Sequence, residues 1–365
     1  MTFLNKIEES TLFYPRKLTL SLTTNCNLSC QHCWVECDSH NPKGIVAPKE
    51  GVIRSIKDFI ELGGKEICLT GGEPLTHPDF LEILEFCINS KLEAVSLQTN
   101  ATLLNTAHLK TFCNFDKEKL FFQVSLDGAT ASTNDFVRGD GSYIRAAQGL
   151  SGLVKSGFGE QITIGFTEMR HNMHEIPDML KYAENAGIKS VVGWSLVDFG
   201  KASQTDRLGP PTPSQYEQLL ELYHQDSDFR VLYDQYGTFA AIEWYKGVSH
   251  PEGHSCRFIE KLYLSAAGKL YPCTLLQDDQ YAAFDIFNWS LTKAIDTKIA
   301  GWVELKELSK RRSRELDCQK NCSGAKHCAG GCFARMQKND EGLFSPEDRC
   351  LLRRAVYDWA SRHEC

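Results

Sequence analysis

Leu18-Thr-Leu-Ser-Leu22-Thr-Thr-Asn25-Cys26-Asn-Leu-Ser-Cys30-Gln-His-Cys33-Trp34 joins an apolar run to three thiols spaced by three and then two residues. The run reads as a strand and the thiols as the loop that follows it. A cubane iron–sulfur cluster takes four Cys thiolates, so a loop offering three leaves one iron open to bind and activate a small molecule. Cys37 follows close behind. The same stretch therefore also reads as a zinc knuckle closed by Cys26, Cys30, Cys33 and Cys37.

Working outward, six apolar, β-branched or aromatic runs occupy 17–23, 66–70, 93–98, 120–126, 161–167 and 190–196. Between them, 48–62, 77–90, 141–156 and 173–186 carry apolar residues at helical spacing. Pro78 or Asp79 opens one of these helices and Gly63-Gly64 closes another. Such alternation predicts βα units around a parallel sheet, whose chemistry gathers at the C-terminal strand ends. The periodicity stops from Phe199 to Pro213, where Gly200, Gly209, Pro210, Pro211 and Pro213 predict a linker. Residues 214–247 read as two amphipathic helices, and cysteines crowd the chain from Cys256 onward. The expected division is 1–200, a βα domain; 201–250, linker and bridging helices; and 251–365, a cysteine-rich unit.

The 365 residues are 42% hydrophobic and 24% charged, enough for one large α/β domain and a smaller one. No apolar run is long enough to span a membrane, and Lys6, Glu8, Glu9, Arg16 and Lys17 interrupt the first seventeen residues, unlike a signal peptide. A cytoplasmic location follows as the expectation. Fifteen cysteines without an export signal point to a reducing compartment and metal-bound thiolates rather than disulfides. A net charge of −7 offers nucleic acid no general attraction. The basic run Lys310 to Arg314 is flanked by Glu307 and Glu315 and reads as a solvated helix face.

Several polar residues follow the predicted strands. Gly71-Gly72-Glu73-Pro74 comes after the second, where glycines let backbone approach a ligand and a carboxylate can accept hydrogen bonds from an ammonium group. Thr99-Asn100 follows the third strand; Ser125 and Asp127 follow the fourth, with Arg138 eleven residues beyond Asp127. Taken singly, each also reads as a loop group satisfied locally, and Arg138 as a surface ion pair. A second cysteine set runs Cys256, Gly268, Cys273, then Cys318, Cys322, Cys328 and Cys332, then Cys350. Seven thiols could equally hold a pair of structural zinc ions. Cys68, Cys87, Cys113 and Cys365 lack ligand spacing, and Cys68 and Cys87 read as buried small hydrophobes. His171 and His174 read as surface residues.

The triplet, the aromatic Trp34 and the Gly-Gly-Glu-Pro turn resemble the radical S-adenosylmethionine (radical SAM) enzymes, and the later cysteines resemble the SPASM domain that many peptide-modifying members carry. The resemblance implies a partial (β/α)6 barrel followed by a small auxiliary-cluster domain. It implies S-adenosyl-L-methionine and three [4Fe–4S] clusters as cofactors. Cys26, Cys30 and Cys33 would hold the cluster that binds S-adenosylmethionine; Gly71, Gly72, Glu73 and Pro74 would meet the methionine amino group, Ser125 the ribose and Arg138 the carboxylate, with Asn100 and Asp127 also at family positions. Cys318, Cys322, Cys328 and Cys350 would hold a distal auxiliary cluster, and Cys256, Cys273 and Cys332 a proximal one lacking a fourth thiolate.

The implied reaction is reductive cleavage of S-adenosylmethionine to a 5′-deoxyadenosyl radical that removes hydrogen from an unactivated C–H bond. The implied substrate is a peptide or protein, and the expected product a thioether or carbon–carbon crosslink in a ribosomally made peptide. Flavodoxin or ferredoxin is the expected type of reductant. Only twenty-five residues precede Cys26, so a leader peptide is expected to need a separate carrier protein or the SPASM surface. A sulfatase-maturing, formylglycine-forming enzyme is the sharpest alternative; there an acidic base follows the Gly-x4-Cys cysteine, where this chain has Thr274, with Asp278 and Asp279 a few residues on. A non-catalytic iron–sulfur or zinc scaffold is the third reading.

Overall fold

The computed structural model describes residues 15–34, 44–247, 259–316, 320–325, 328, 330–336 and 344–363. Cys37, Cys256, Cys318 and Cys365 lie outside the described residues.

Each predicted run is a strand: β1 Lys17–Ser21, β2 Glu66–Thr70, β3 Ala94–Thr99, β4 Leu120–Ser125, β5 Ile162–Glu168 and β6 Ser190–Ser195. All adjoining pairs among them are parallel, with Leu18 opposite Ile67 and Gln98 opposite Gln123. The crossovers are α1 Lys49–Glu61, α2 Phe80–Ile88, α3 Thr106–Phe112, α4 Ala131–Arg138, α5 Ser142–Lys155 and α6 Ile176–Ala186. α2 and α6 begin three residues after the predicted starts at 77 and 173, because a turn at 77–79 and a short 3-10 turn over Met173–Glu175 come first. The short α3 and α4 carry too few turns to announce themselves by periodicity, and the sequence reading missed both.

After the linker come α7 Pro213–Gln225, α8 Ser227–Tyr236, the two-residue strand β7 Gly237–Thr238 and α9 Ala240–Tyr245. Thr212 and Gln215 form a reciprocal capping box at α7, with Pro213 in the first helical position. Next follow β8 Lys261–Leu264, β9 Leu270–Tyr271, α10 Leu291–Glu315 and α11 Cys350–His363. The nine strands make one open sheet in the order β7-β6-β5-β4-β3-β2-β1-β8-β9. β8 pairs parallel to β1, and only β9 runs antiparallel. The cysteine-rich unit therefore begins as an extension of the barrel sheet. It also shares the core, since Leu352, Val356 and Trp359 of α11 belong to the apolar cluster that contains Leu20, Leu69 and Leu97.

Alternation along the strands separates two faces. Val95, Leu97, Phe122 and Val124 are buried, whereas Ser96, Gln98, Gln123 and Ser125 on the opposite face are only half-buried. Gln98 donates to Gln123 across that face at 3.0 Å. A closed barrel fills its interior with branched apolar side chains; this open one is lined by polar ones. In α10, Lys310 pairs with Glu307 and Arg311 with Glu315 on the exposed face. Arg312 departs from the solvated-face expectation: it is buried and donates to the Ser345 carbonyl at 2.7 Å, because the helix turns that position toward the chain before α11. No helix among the described residues is long and apolar enough to cross a membrane.

Candidate active site

The Cys26–Cys33 loop leaves β1 at its C-terminal end and is gripped by segments following four other strands. From β2, Gly72 N–H donates to Thr23 O and Glu73 N–H to Asn25 O, both at 2.7 Å. From β3, Asn100 Nδ2 donates to Asn27 Oδ1 at 3.0 Å and lies 3.9 Å from Cys26 Sγ, while Asn27 Nδ2 donates to Thr102 Oγ1 at 2.7 Å. From the α4 end of the β4 connection, Val137 O accepts from Gln31 N–H at 2.8 Å, and Phe136 O accepts from the Gln31 side chain. From beyond β6, Lys201 N–H donates to Cys33 O at 2.9 Å and Lys201 Nζ to Ser29 Oγ at 2.8 Å. The predicted linker thus reaches back to clamp the loop.

The glycines are required by contact. Gly71 has φ +148°, and a Cβ there would lie 2.4 Å from Thr23 O; at Gly72 it would lie 2.1 Å from Asn25 O. Gly72→Ala is therefore expected to push the cysteine loop off β2, at a cost of about 1–3 kcal/mol of strain. Iron content after anaerobic reconstitution measures this, and a native iron content would contradict it.

Glu73 is fully buried. Its Oε1 accepts from Thr99 Oγ1 at 2.7 Å and Leu75 N–H at 3.2 Å, and its Oε2 from Asn100 N–H at 2.8 Å. Burial pushes it up to about 7 against these three hydrogen bonds. The carboxylate thereby also braces β2 against β3, with a single donor on its Oε2.

Asp127, also fully buried, takes Thr167 N–H on Oδ1 at 2.7 Å, while its Oδ2 lies 2.7 Å from Arg138 Nε and 3.1 Å from His32 Nε2. Burial raises Asp127, but Arg138 and His32 more than reverse this and hold it well below the usual carboxylate range. Arg138 is a buried partner of this carboxylate rather than a surface ion pair, at the last turn of α4. Ser125, at the end of β4 on the polar face, is half-buried. For the bare thiols, burial pushes Cys26 up to about 12 and Cys30 up to about 11, neighbouring thiols adding to this and Arg138 opposing it at Cys30. Iron binding must displace those protons.

The second set gathers around the stretch before α11. Cys322, Cys328 and Cys350 line one small cavity with Glu347, Arg353 and Tyr357. Cys273, just past β9, is pushed up to about 11 by burial, and the neighbouring Cys332 adds to the rise. Cys332 N–H donates to Glu347 Oε2 at 2.8 Å. Among the described residues no three His, Cys, Asp or Glu side chains gather as ligands of a single metal ion. The donor set is all thiol in both places, the set that iron–sulfur clusters take.

Sequence reasoning missed the charged residues that join the two regions. Arg335 forks onto Asp348 at 2.6 and 2.7 Å and donates to Leu196 O, beyond β6, at 2.6 Å. Arg349 Nη1 donates to Ser195 Oγ at 3.3 Å and Nη2 to Glu347 Oε2 at 2.9 Å. The signal was present in Pro346-Glu-Asp-Arg-Cys350, where three charges abut Cys350.

An open parallel barrel with a three-cysteine loop at its mouth and further thiols behind it defines a class of iron–sulfur protein. Residues 20–183 match the Radical SAM superfamily. The chain is 32% identical over 212 residues to the AdoMet-dependent heme synthase of Methanosarcina barkeri, covering 58% of each chain. It is 25% identical over 353 residues to the antilisterial bacteriocin subtilosin biosynthesis protein AlbA of Bacillus subtilis, covering 96% of this chain and 72% of that one. The match thus spans less than two thirds of the first relative's length and somewhat more of the second's. Its fold resembles native anSMEcpe with bound AdoMet and Kp18Cys peptide, with TM-score 0.73, 18% identity and coverage of 95% and 97%. It also resembles Streptococcus suis SuiB bound to S-adenosylmethionine, with TM-score 0.71, 15% identity and coverage of 94% and 79%. Residues 20–183 thus resemble the Radical SAM superfamily, and the chain has the fold of anSMEcpe and SuiB.

Proposed function

We propose that this protein is a peptide maturase that forms a thioether or carbon–carbon crosslink in a ribosomally made peptide. The observation that carries the reading is the pair of thiol sites, one at the barrel mouth and one around Glu347, with Arg335 and Arg349 joining the second to the end of β6. The relatives support the peptide class: AlbA is a bacteriocin biosynthesis protein by its name, and SuiB has been solved with a precursor peptide, SuiA.

In this reading the barrel domain spans 1–200, the bridging helices 201–250 and the SPASM unit 251–365. Cys26, Cys30 and Cys33 hold the cluster that binds S-adenosylmethionine. The auxiliary ligands are Cys318, Cys322, Cys328 and Cys350 for one cluster and Cys256, Cys273 and Cys332 for the other. The cofactor pair supplies, when bound, a 5′-deoxyadenosyl radical able to take hydrogen from an unactivated carbon. Backbone at Gly71 and Gly72 meets the methionine ammonium, the Ser125 hydroxyl the ribose, and Arg138 the carboxylate while Asp127 fixes its orientation. Asn100 restrains the loop beside Cys26, and Glu73 braces the strand ends beneath it. The polar face bearing Gln98 and Gln123 gives a peptide hydrogen-bonding partners inside the barrel. A reductant of the flavodoxin or ferredoxin type completes the system, in the cytoplasm.

The formylglycine alternative needs a carboxylate base beside Cys273. Asp279 is exposed and bound to Lys269 at 2.8 Å, and Asp278 is exposed and receives Gln280 N–H at 3.0 Å. Neither is buried beside the thiol. Coexpression with a candidate precursor peptide, followed by tandem mass spectrometry, tests the proposal. The expected product is lighter by two hydrogens, resists fragmentation between the linked residues and does not react with a hydrazide. An aldehyde-bearing product would overturn crosslinking in favour of formylglycine.

A further inference from the structure

Arg353 is the least explained charged side chain beside the second thiol site. It is 3% exposed, on the first turn of α11. Its Nε donates to Glu347 Oε1 at 2.8 Å, and its guanidinium carbon lies 4.1 Å from the centroid of the Trp244 ring. One edge of the guanidinium is thus held by a carboxylate and one face by an indole. Its Nη1 is buried and makes no well-formed hydrogen bond among the described residues, with Tyr357 the polar side chain beside the guanidinium in the same cavity wall. A guanidinium is always charged and cannot relieve an unmet donor by losing a proton. The same side chain borders the cavity that Cys322, Cys328 and Cys350 line. The local charge fits an anionic occupant: Arg335, Arg349 and Arg353 face only Glu347 and Asp348 in their ion pairs.

We propose that Arg353 donates an N–H hydrogen bond to the iron–sulfur cluster held by Cys322, Cys328 and Cys350 and raises that cluster's reduction potential. The inference rests on the reading that this cavity houses an auxiliary cluster. Hydrogen bonds to the sulfurs and the net charge around a cluster set its potential, and a fixed cation favours the state carrying one more electron. Glu347 holds the guanidinium in place from one side while carrying the Cys332 N–H on its other oxygen, so the same carboxylate touches both auxiliary sites. Arg353 is in this sense a tuning residue that need not meet the substrate.

The test uses the full-length chain with Cys26, Cys30 and Cys33 replaced by alanine, so that only the C-terminal clusters contribute. Iron is counted and the midpoints are read from a reductive titration followed by electron paramagnetic resonance. R353M is expected to keep its iron and to shift one cluster's reduction equilibrium at least tenfold toward the oxidised form, about 59 mV for a one-electron couple. The other cluster should not move. R353K keeps the charge without the planar fork and should shift less. An unmoved midpoint in iron-replete R353M would overturn the proposal. If R353M loses iron, R353K decides: retained iron with a near-native midpoint supports the proposal, and loss in both variants overturns it by making Arg353 a packing element. A parent chain that binds no iron at all overturns the cluster reading itself, and does so before Arg353 is changed.

Discussion

Glu347→Ala is expected to cost about 3–5 kcal/mol of folding stability, the usual loss when one partner of a buried ion pair is removed. Its carboxylate is 4% exposed, and three donors converge on it: Arg353 Nε, Arg349 Nη2 and Cys332 N–H. Removal leaves the buried Arg353 and the half-buried Arg349 without this counter-charge and frees the backbone at Cys332. The same contacts predict a pH dependence. Burial pushes Glu347 up, but Arg349, Arg353 and the Cys332 N–H outweigh it and bring it down to about 2. A carboxyl lowered in the folded state stabilises above its unfolded pKa and loses that contribution as pH falls toward the folded value. Wild-type stability should therefore decline as pH falls from about 4.5 toward about 2, and Glu347→Ala should flatten that decline. Denaturant unfolding across this range measures both effects, and parallel curves for the two proteins would contradict the assignment.

The Cys26/Cys30/Cys33→Ala triple variant is expected to lose all measurable cleavage of S-adenosylmethionine while remaining folded. None of the three thiols belongs to the apolar core, and the loop keeps its backbone bonds from Gly72, Glu73 and Lys201. Iron should fall from about twelve to about eight per chain if each cluster is a cubane. Loss of all iron would mean that the two thiol regions do not bind independently. Zinc in place of iron and sulfide would return the chain to the structural metal reading.

Much of this was legible in the sequence because it rests on local signals. The six barrel strands carry apolar residues largely at alternate positions, as strands with one fully buried face must, and all six fell within two residues of their predicted places. The cysteine triplet and the Gly71–Pro74 turn were legible because spacing in the chain is spacing at a strand end. What escaped depends on long-range contact. β8 and β9 are four and two residues long, and their place beside β1 is set by pairing across more than two hundred residues. Periodicity gave Lys310 to Arg314 one exposed face, yet Arg312 finds the Ser345 carbonyl thirty-three residues on. Glu73 carried the chemistry of an ammonium acceptor in the sequence, and only the fold added that Thr99 and the Asn100 N–H donate to it as well. Lys201, inside an apparent linker, gave no sign of reaching Ser29.

The central claim is tested most directly by incubating the anaerobically reconstituted wild-type protein with a low-potential reductant and S-adenosylmethionine and measuring 5′-deoxyadenosine by chromatography. The account predicts 5′-deoxyadenosine and methionine in equal amounts, and neither above background from the triple cysteine variant. A wild-type protein carrying its full iron and sulfide yet releasing no 5′-deoxyadenosine would contradict it, leaving an iron–sulfur scaffold or electron carrier on a radical SAM fold.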